Sequence, residues 1–197
     1  MPRKYELKKR AERQEDTRRR IVQAAVDLHG TIGPARTTVS AIAERAGVQR
    51  HTYYRYFPDD RALGMACSGL HMEQNPVPDP EPWREIADPA DRLAQGLGEL
   101  YAWYERTEQM LTNVTRDAET DPVMAEVSAL RFGPPLQAIV EVLSKGLVEG
   151  RHRRRAQAAL MLALDFRTWR SLARDSGLSR KDAVATMVRA VRCAGSH

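Results

Sequence analysis

A single glycine, Gly47, separates two short apolar patterns in TTVSAIAERAGVQRHTYYRYF, residues 37–57, and it constrains this chain more than any other feature. Before it, Val39, Ile42, Ala43 and Ala46 recur at the i, i+3, i+4, i+7 spacing of one helical face. Thr38 stands where an N-cap is wanted, its hydroxyl free to accept an otherwise unpaired backbone N–H. Gly47 ends that helix, because it enters the left-handed region without a Cβ penalty. A second short helix is expected from about Gln49 to Phe57, stopping before Pro58. Two short helices about a glycine turn make a helix-turn-helix.

The aromatic end of this stretch divides by angle. At about 100° per residue, Tyr53 and Phe57 fall within about 40° of each other, with His51 and Arg55 opposite. Tyr54 and Tyr56 fall on the two borders of the apolar stripe. Tyr53 and Phe57 are therefore expected to lock the short helix onto Val39, Ile42 and a preceding helix. In helix-turn-helix geometry the second helix enters the major groove N-terminus first. Gln49, Arg50, His51 and Thr52 are then placed to reach base edges, and the hydroxyls of Tyr54 and Tyr56 to reach phosphates. The alternative for Arg50 and His51 is an ordinary solvated face, and for Tyr54 a place in the core.

Charge points the same way. The net charge is +5, and residues 1–60 hold 13 Lys/Arg against 8 Asp/Glu, so all of the excess lies there. A localised basic excess is the electrostatic footprint of a polyanion-binding module, although a solubilising tail would carry it too. With 42% hydrophobic residues the chain can bury a sizeable core. Its longest strictly apolar run, AALMLAL at 158–164, is too short for a membrane span. The basic N-terminus is not followed by an apolar stretch and does not read as a secretory signal. Cys67 and Cys193 stand far apart and in no metal-ligand spacing, which makes a reducing cytoplasm the default and a metal site or cofactor unexpected. No nucleophile–base spacing, paired-carboxylate motif or glycine-rich phosphate loop points to an enzyme.

The rest of the chain reads as helix. TRRRIVQAAVDLHG, residues 17–30, aligns Ile21, Ala24, Ala25 and Leu28 on one face, and residues 1–16 before it read as a basic, flexible arm. Residues 17–60 are expected to form the helix-turn-helix domain and 61–75 a connecting helix. Five prolines between 76 and 89 mark a boundary that no helix continues through. Residues 76–197 then form a larger helical domain, with helices expected at about 90–106, 108–119, 122–148, 153–176 and 179–193. The fold class is all-α.

The stretch from about 17 to 65 resembles the N-terminal domain of the TetR family of transcriptional regulators, carried by TRRRIVQAAVDLHG, IAERAGV and the T-Y-Y-x-Y-F ending. The resemblance covers about a quarter of the chain strongly, and the remainder only by helix count and length. It implies an all-α homodimer that binds double-stranded DNA at an inverted-repeat operator, with a small-molecule effector pocket in the C-terminal domain. It implies phosphate contacts by Thr38, Tyr54 and Tyr56, and base reading by Gln49, Arg50, His51 and Thr52. Where many members carry a lysine at the start of the next helix, this chain has Asp60, with Arg61 or the N-terminal arm as substitutes for that contact. Repression relieved by the effector is the function implied; control by a protein partner on the C-terminal domain is the alternative.

Two expectations concern that larger domain. Trp103 and Tyr104 follow Leu93, Leu97 and Leu100 in a stripe that reads as core. If the family pocket is present, Trp103, Tyr104, Met110, Asn113 and Phe166 are its candidate lining, while Asn113, Arg116 and Asp117 either give polar contacts or face water. The apolar residues of 156–176 wrap most of a helix, and Ala183, Val184, Met187, Val188 and Val191 add a stripe. These last two helices are the expected dimer interface, closing a four-helix bundle. The Arg-rich run 151–155 reads as a solvated helix start, and His29 and His71 as structural.

Overall fold

The computed structural model describes residues 2–148, 150 and 152–196. Among them the chain is all-α, with helices α1 (Pro2–Thr31), α2 (Val39–Ala46), α3 (Arg50–Tyr56), α4 (Asp60–Gln74), α5 (Pro89–Asp117), α6 (Pro122–Ser144), α7 (Arg153–Leu164), α8 (Phe166–Arg170) and α9 (Arg180–Ser196). Short 3-10 turns lie at Pro34–Arg36 and Glu81–Glu85, and a π turn at Ser171–Asp175 follows α8.

Two compact units emerge, and they do not split the chain at a single point. One comprises the residues through Asn75 together with Gln109–Arg131; the other comprises Pro76–Glu108 together with the residues from Phe132 onward. The end of α5 and the start of α6 group with the N-terminal unit, not with the residues that flank them in the chain.

In the N-terminal unit, Ile21, Val22, Ala24, Ala25 and Val26 of α1 are buried against Ile42 and Ala46 of α2, Tyr53 of α3, and Leu63 and Cys67 of α4. Burial pushes the Cys67 thiol up to about 12, so it packs as a neutral group. Helix α1 begins far earlier than residue 17. Lys8–Glu12 and Arg20–Asp16 pair at the i, i+4 spacing that supports an exposed helix, and an arm over 2–16 is replaced by helix. Helix α4 is capped by Asp59, whose Oδ1 accepts the Ala62 N–H at 2.7 Å. Its flank is held by α6: Arg131 donates to the Met65 carbonyl at 2.6 Å and to Ser68 Oγ at 3.1 Å, and Val127 is buried.

In the second unit, Leu93, Leu97, Leu100 and Tyr101 of α5 join Ile139, Val142 and Leu143 of α6 and Leu160, Ala163 and Trp169 in a buried core. The proline-rich stretch is more than a boundary. Its 3-10 turn buries Trp83, whose indole N–H donates to Glu99 at 3.1 Å. Three helix ends differ from expectation. Helix α5 runs unbroken through 107, where the Thr107 hydroxyl donates back to the Trp103 carbonyl at 2.7 Å. The expected helix 153–176 breaks at Asp165, which is extended and whose Oδ1 caps α8 through the N–H groups of Arg167 and Thr168. Helix α6 ends at Ser144, although it carries Pro134 and Pro135 within it. Of the Arg-rich run, Arg151 lies outside the described residues; Arg153, Arg154 and Arg155 are exposed in the first turn of α7.

Helices α7 and α9 pack on each other, burying Ala156, Leu160, Ala183, Met187 and Val191. The wrap expected around α7 is incomplete within one chain: Met161 and Leu162 stay 41% and 59% exposed.

Candidate nucleic-acid interface

Thr38 caps α2, its hydroxyl accepting the Ala41 N–H at 3.1 Å. At the other end Gly47 takes φ 65 and ψ 41, and its N–H closes the last turn on Ala43 and Glu44. The next N–H, that of Val48, returns to the Ala43 carbonyl at 2.9 Å, so the chain leaves the helix at a fixed angle. An added Cβ would be strained at this left-handed position. Gln49 then opens α3, its carbonyl accepting from Thr52 and Tyr53 at 2.9 and 3.2 Å. Helix α1 braces the arrangement: Arg20 Nη1 donates to the Ala46 carbonyl at 3.1 Å, and Arg45 grips Asp27 at 2.8 Å.

Helix α3 has only seven residues, too few to be stable alone, so its packed face has to hold it. Tyr53 and Phe57 are both 2% exposed and their ring centroids lie 5.9 Å apart. Burial, followed by the negative charge of Asp60, pushes the Tyr53 hydroxyl up to about 12, so that ring stays neutral in the core. The opposite face is open. Gln49, Arg50 and His51 are exposed and Thr52 is half-buried, with its hydroxyl 3.3 Å from His51 Nε2. The Arg50 side chain makes no hydrogen bond or ion pair with any described residue, which leaves its guanidinium donors available.

The two border tyrosines differ. Tyr54 is 48% exposed, whereas Tyr56 is half-buried at the margin of the core. The Arg55 guanidinium lies 5.1 Å above the Tyr56 ring and donates to its hydroxyl at 3.5 Å. Arg55 therefore joins the polar surface of α3, a role that its angular position opposite the core already suggested. Thr38 is exposed at the α2 N-terminus, near the same surface in sequence. Arg61 Nε donates to Glu126 at 2.9 Å in an exposed ion pair. Asp60 itself is exposed in the first turn of α4, where the helix dipole favours it.

The N-terminal unit also contains a polar clamp at the end of α1. The turn after α1 takes a positive φ of 94 at Gly33. Asn113 donates to the carbonyls of His29 and Gly30 at 2.9 and 3.2 Å, satisfying acceptors that the end of α1 leaves open. Asp117 accepts the Ala35 N–H at 2.9 Å and Arg116 Nε at 2.7 Å. Burial raises the Asp117 carboxyl, but the Arg116 and Ala35 hydrogen bonds and the nearby arginine charges outweigh it and hold it below the usual range. His29, beside this clamp, is buried and its pKa falls to about 4 despite the Asp117 charge. Asn113, a conditional candidate for a pocket or a solvent-facing position in the sequence, gives its amide N–H groups to the α1 carbonyls.

Residues 21–63 match the family model of bacterial regulatory proteins of the tetR family. The repressor KstR of Rhodococcus jostii is 28% identical over 119 residues, 60% of this chain and 49% of that protein. A Clostridium perfringens protein assigned to fatty acid metabolism regulation shares the fold with a TM-score of 0.61 at 16% identity, over 89% of this chain and 97% of that one. Residues 21–63 thus carry the DNA-binding domain of the TetR family. Its members are regulators rather than enzymes. A Thermus thermophilus TetR-family repressor, FadR in complex with lauroyl-CoA, also shares the fold: TM-score 0.53, 22% identity, 88% of this chain and 92% of that one. The chain spans about half the length of the curated relatives it matches.

The five candidate pocket residues are divided between the two units. Met110 and Asn113 belong to the N-terminal unit, and Trp103, Tyr104 and Phe166 to the second. The latter three are buried in an aromatic cluster: Tyr104 lies 5.5 Å from Trp103, 5.4 Å from Phe166 and 5.7 Å from Trp169. The hydroxyls of Tyr101 and Tyr104 donate to the carbonyls of Ala163 and Leu164. A groove of about 330 Å³ on the second unit, lined by Ala94, Gln95, Gly98, Glu99, Arg180, Lys181 and Val184, contains none of the five. Among the described residues no three His, Cys, Asp or Glu side chains are grouped to hold a metal, and no helix is long and apolar enough to cross a membrane.

Proposed function

We propose that this chain is a transcriptional repressor that binds an inverted-repeat operator as a homodimer and is released from it by a small-molecule effector. The observation that carries the reading is the division of α3: two rings buried on one face, and Gln49, Arg50 and His51 exposed on the other. Such a helix presents donors to a major groove while its core face fixes their direction. Arg50 reads guanine through two parallel N–H groups; His51, Gln49 and Thr52 read neighbouring edges. The hydroxyls of Thr38 and Tyr54 hold phosphates. Tyr56 joins them through its outward hydroxyl, with Arg55 beside it.

Repression is supported by the relatives named KstR, which are repressors. The effector arm is supported by the TetR-family repressor bound to lauroyl-CoA, an acyl thioester. Exposed Met161 and Leu162 on α7 support a second copy packing there, since a dimer would cover apolar surface that one chain leaves in water.

Selection of duplex sites from a random pool tests this reading. Two half-sites in inverted repeat, with centres about 34–36 Å apart or a multiple of that distance, are expected. Log affinity should fall against log salt with a slope of about −0.9 per phosphate neutralised. A site without symmetry, or affinity flat across salt, overturns it. For the effector arm, a ligand such as lauroyl-CoA must weaken operator binding, because a ligand with equal affinity for both states shifts nothing. Operator affinity unchanged across a panel of small molecules, acyl thioesters included, overturns that arm alone.

A further inference from the structure

Within the aromatic cluster of the second unit, one polar atom has no partner. Trp169 is fully buried, and its indole N–H meets no acceptor among the described residues. The neighbouring donors are spent: Tyr101 on the Ala163 carbonyl at 2.8 Å, and Tyr104 on the Leu164 carbonyl at 2.5 Å. A buried donor without an acceptor is costly, and native interiors hold few of them. Those that persist have a reason.

A second feature lies beside it. The residues after Trp169 leave the α-helical register for a π turn, Ser171–Asp175, closed by the Ser176 N–H on the Ser171 carbonyl at 2.9 Å. Such turns are rare and concentrate at functional sites. This one delivers Arg174 over the Trp169 ring at 5.4 Å from its centroid, where Glu108 grips the guanidinium at 2.7 Å. An α-helical register would place that side chain elsewhere. The indole is thus walled by Tyr104 and Phe166 and covered by a cation on an irregular, exposed turn.

We propose that the Trp169 indole N–H anchors the effector, and that the effector is a small, largely apolar molecule carrying a carbonyl acceptor. This rests on the effector reading above. The carbonyl oxygen takes the unpaired N–H, and the apolar body lies against Tyr104 and Phe166. Arg174 and the π turn move to admit it. No other side-chain donor described in the cluster is left to fix the ligand's orientation.

The test uses acetophenone and ethylbenzene, which match in size and differ in the carbonyl. The chain has three tryptophans, so its indole N–H region holds three signals in a nitrogen-15 correlation spectrum. Trp169→Phe assigns the third signal; if that variant does not fold, Trp83→Phe and Trp103→Phe assign it by elimination. Acetophenone is expected to move the Trp169 signal downfield and to bind about tenfold more tightly than ethylbenzene. Equal binding of the two, or a Trp169 signal unmoved at saturating acetophenone, overturns the anchor. A Trp169 indole in rapid exchange with water in the free protein overturns it as well. If any of these results appears while another small molecule releases operator DNA, the anchor fails and the effector reading stands. If no small molecule releases DNA, the effector reading fails first.

Discussion

The helix-turn-helix and the aromatic cluster of the second unit both concentrate rings, and they use them differently. In α3 the rings alternate in role along seven residues: Tyr53 is buried, Tyr54 is exposed and Tyr56 lies between. In the second unit Tyr101, Trp103, Tyr104, Phe166 and Trp169 are all buried, and the two tyrosine hydroxyls turn inward to carbonyls at the end of α7. A single short helix packed on one side must sort its rings by angle. A cluster fed by α5, α7 and α8 encloses its rings from several sides, so angle along any one helix does not reveal which ring is free.

The largest effect should come from cutting the buried ring of α3. Tyr53→Ala removes a 2%-exposed ring from the small core and should cost about 3–5 kcal/mol, read as a lower denaturant midpoint. Tyr54→Ala, at a 48%-exposed position one residue along, should change stability by less than about 0.5 kcal/mol. Similar losses for the two would dissolve the contrast between the faces.

That difference in packing also explains what the sequence disclosed. The i, i+3, i+4 pattern of Val39, Ile42, Ala43 and Ala46 and the stop at Gly47 are local physics, and both elements are where the pattern put them. The buried and exposed sides of α3 were legible for the same reason. The break at Asp165 was not, because it depends on one carboxylate capping two N–H groups within a strongly apolar run. Nor was the continuity of α5 through 107, where a threonine hydroxyl bonds back to its own helix. Asn113 and Asp117 read from sequence as pocket contacts or as water-facing groups, whereas the backbone groups they bond lie more than 80 residues away, at the end of α1 and the turn after it. Sequence spacing carries no information about such long-range pairing.

Acid should separate the two units. His29 is held neutral in the fold, with its pKa lowered from 6.5 to about 4, so it stabilises fully above the unfolded value. As pH falls from 6.5 towards 4 the unfolded chain takes up the proton first and that contribution is lost, about 3 kcal/mol in all. Asp27 and Asp117, both lowered, lose their contributions further into acid, below the usual carboxylate range. All three groups lie in the N-terminal unit, while Trp83, Trp103 and Trp169 lie in the second. Amide exchange in α1 and α2 should therefore speed up near pH 5 while tryptophan fluorescence stays native. His29→Gln should flatten the trend. Simultaneous loss of both signals, unaffected by that substitution, would contradict the assignment.

A smaller effect should follow from opening the clamp. Asn113→Leu leaves the carbonyls of His29 and Gly30 unpaired and should cost about 1–3 kcal/mol, read as faster amide exchange at the end of α1. Exchange unchanged there would mean that the hydrogen bonds do not hold the turn.

The central claim is that one face of α3 packs and the other reads DNA, and it is tested most directly by measuring affinity for a selected site and for random duplex. Arg50→Ala should weaken the selected site by about 1–3 kcal/mol, leave random duplex much less affected, and relax preference at one base pair in each half-site. Tyr54→Phe should weaken both duplexes by the same small factor, since a phosphate contact positions without reading sequence. If Arg50→Ala lowered both affinities equally while Tyr54→Phe altered base preference, the assignment of this face would be wrong.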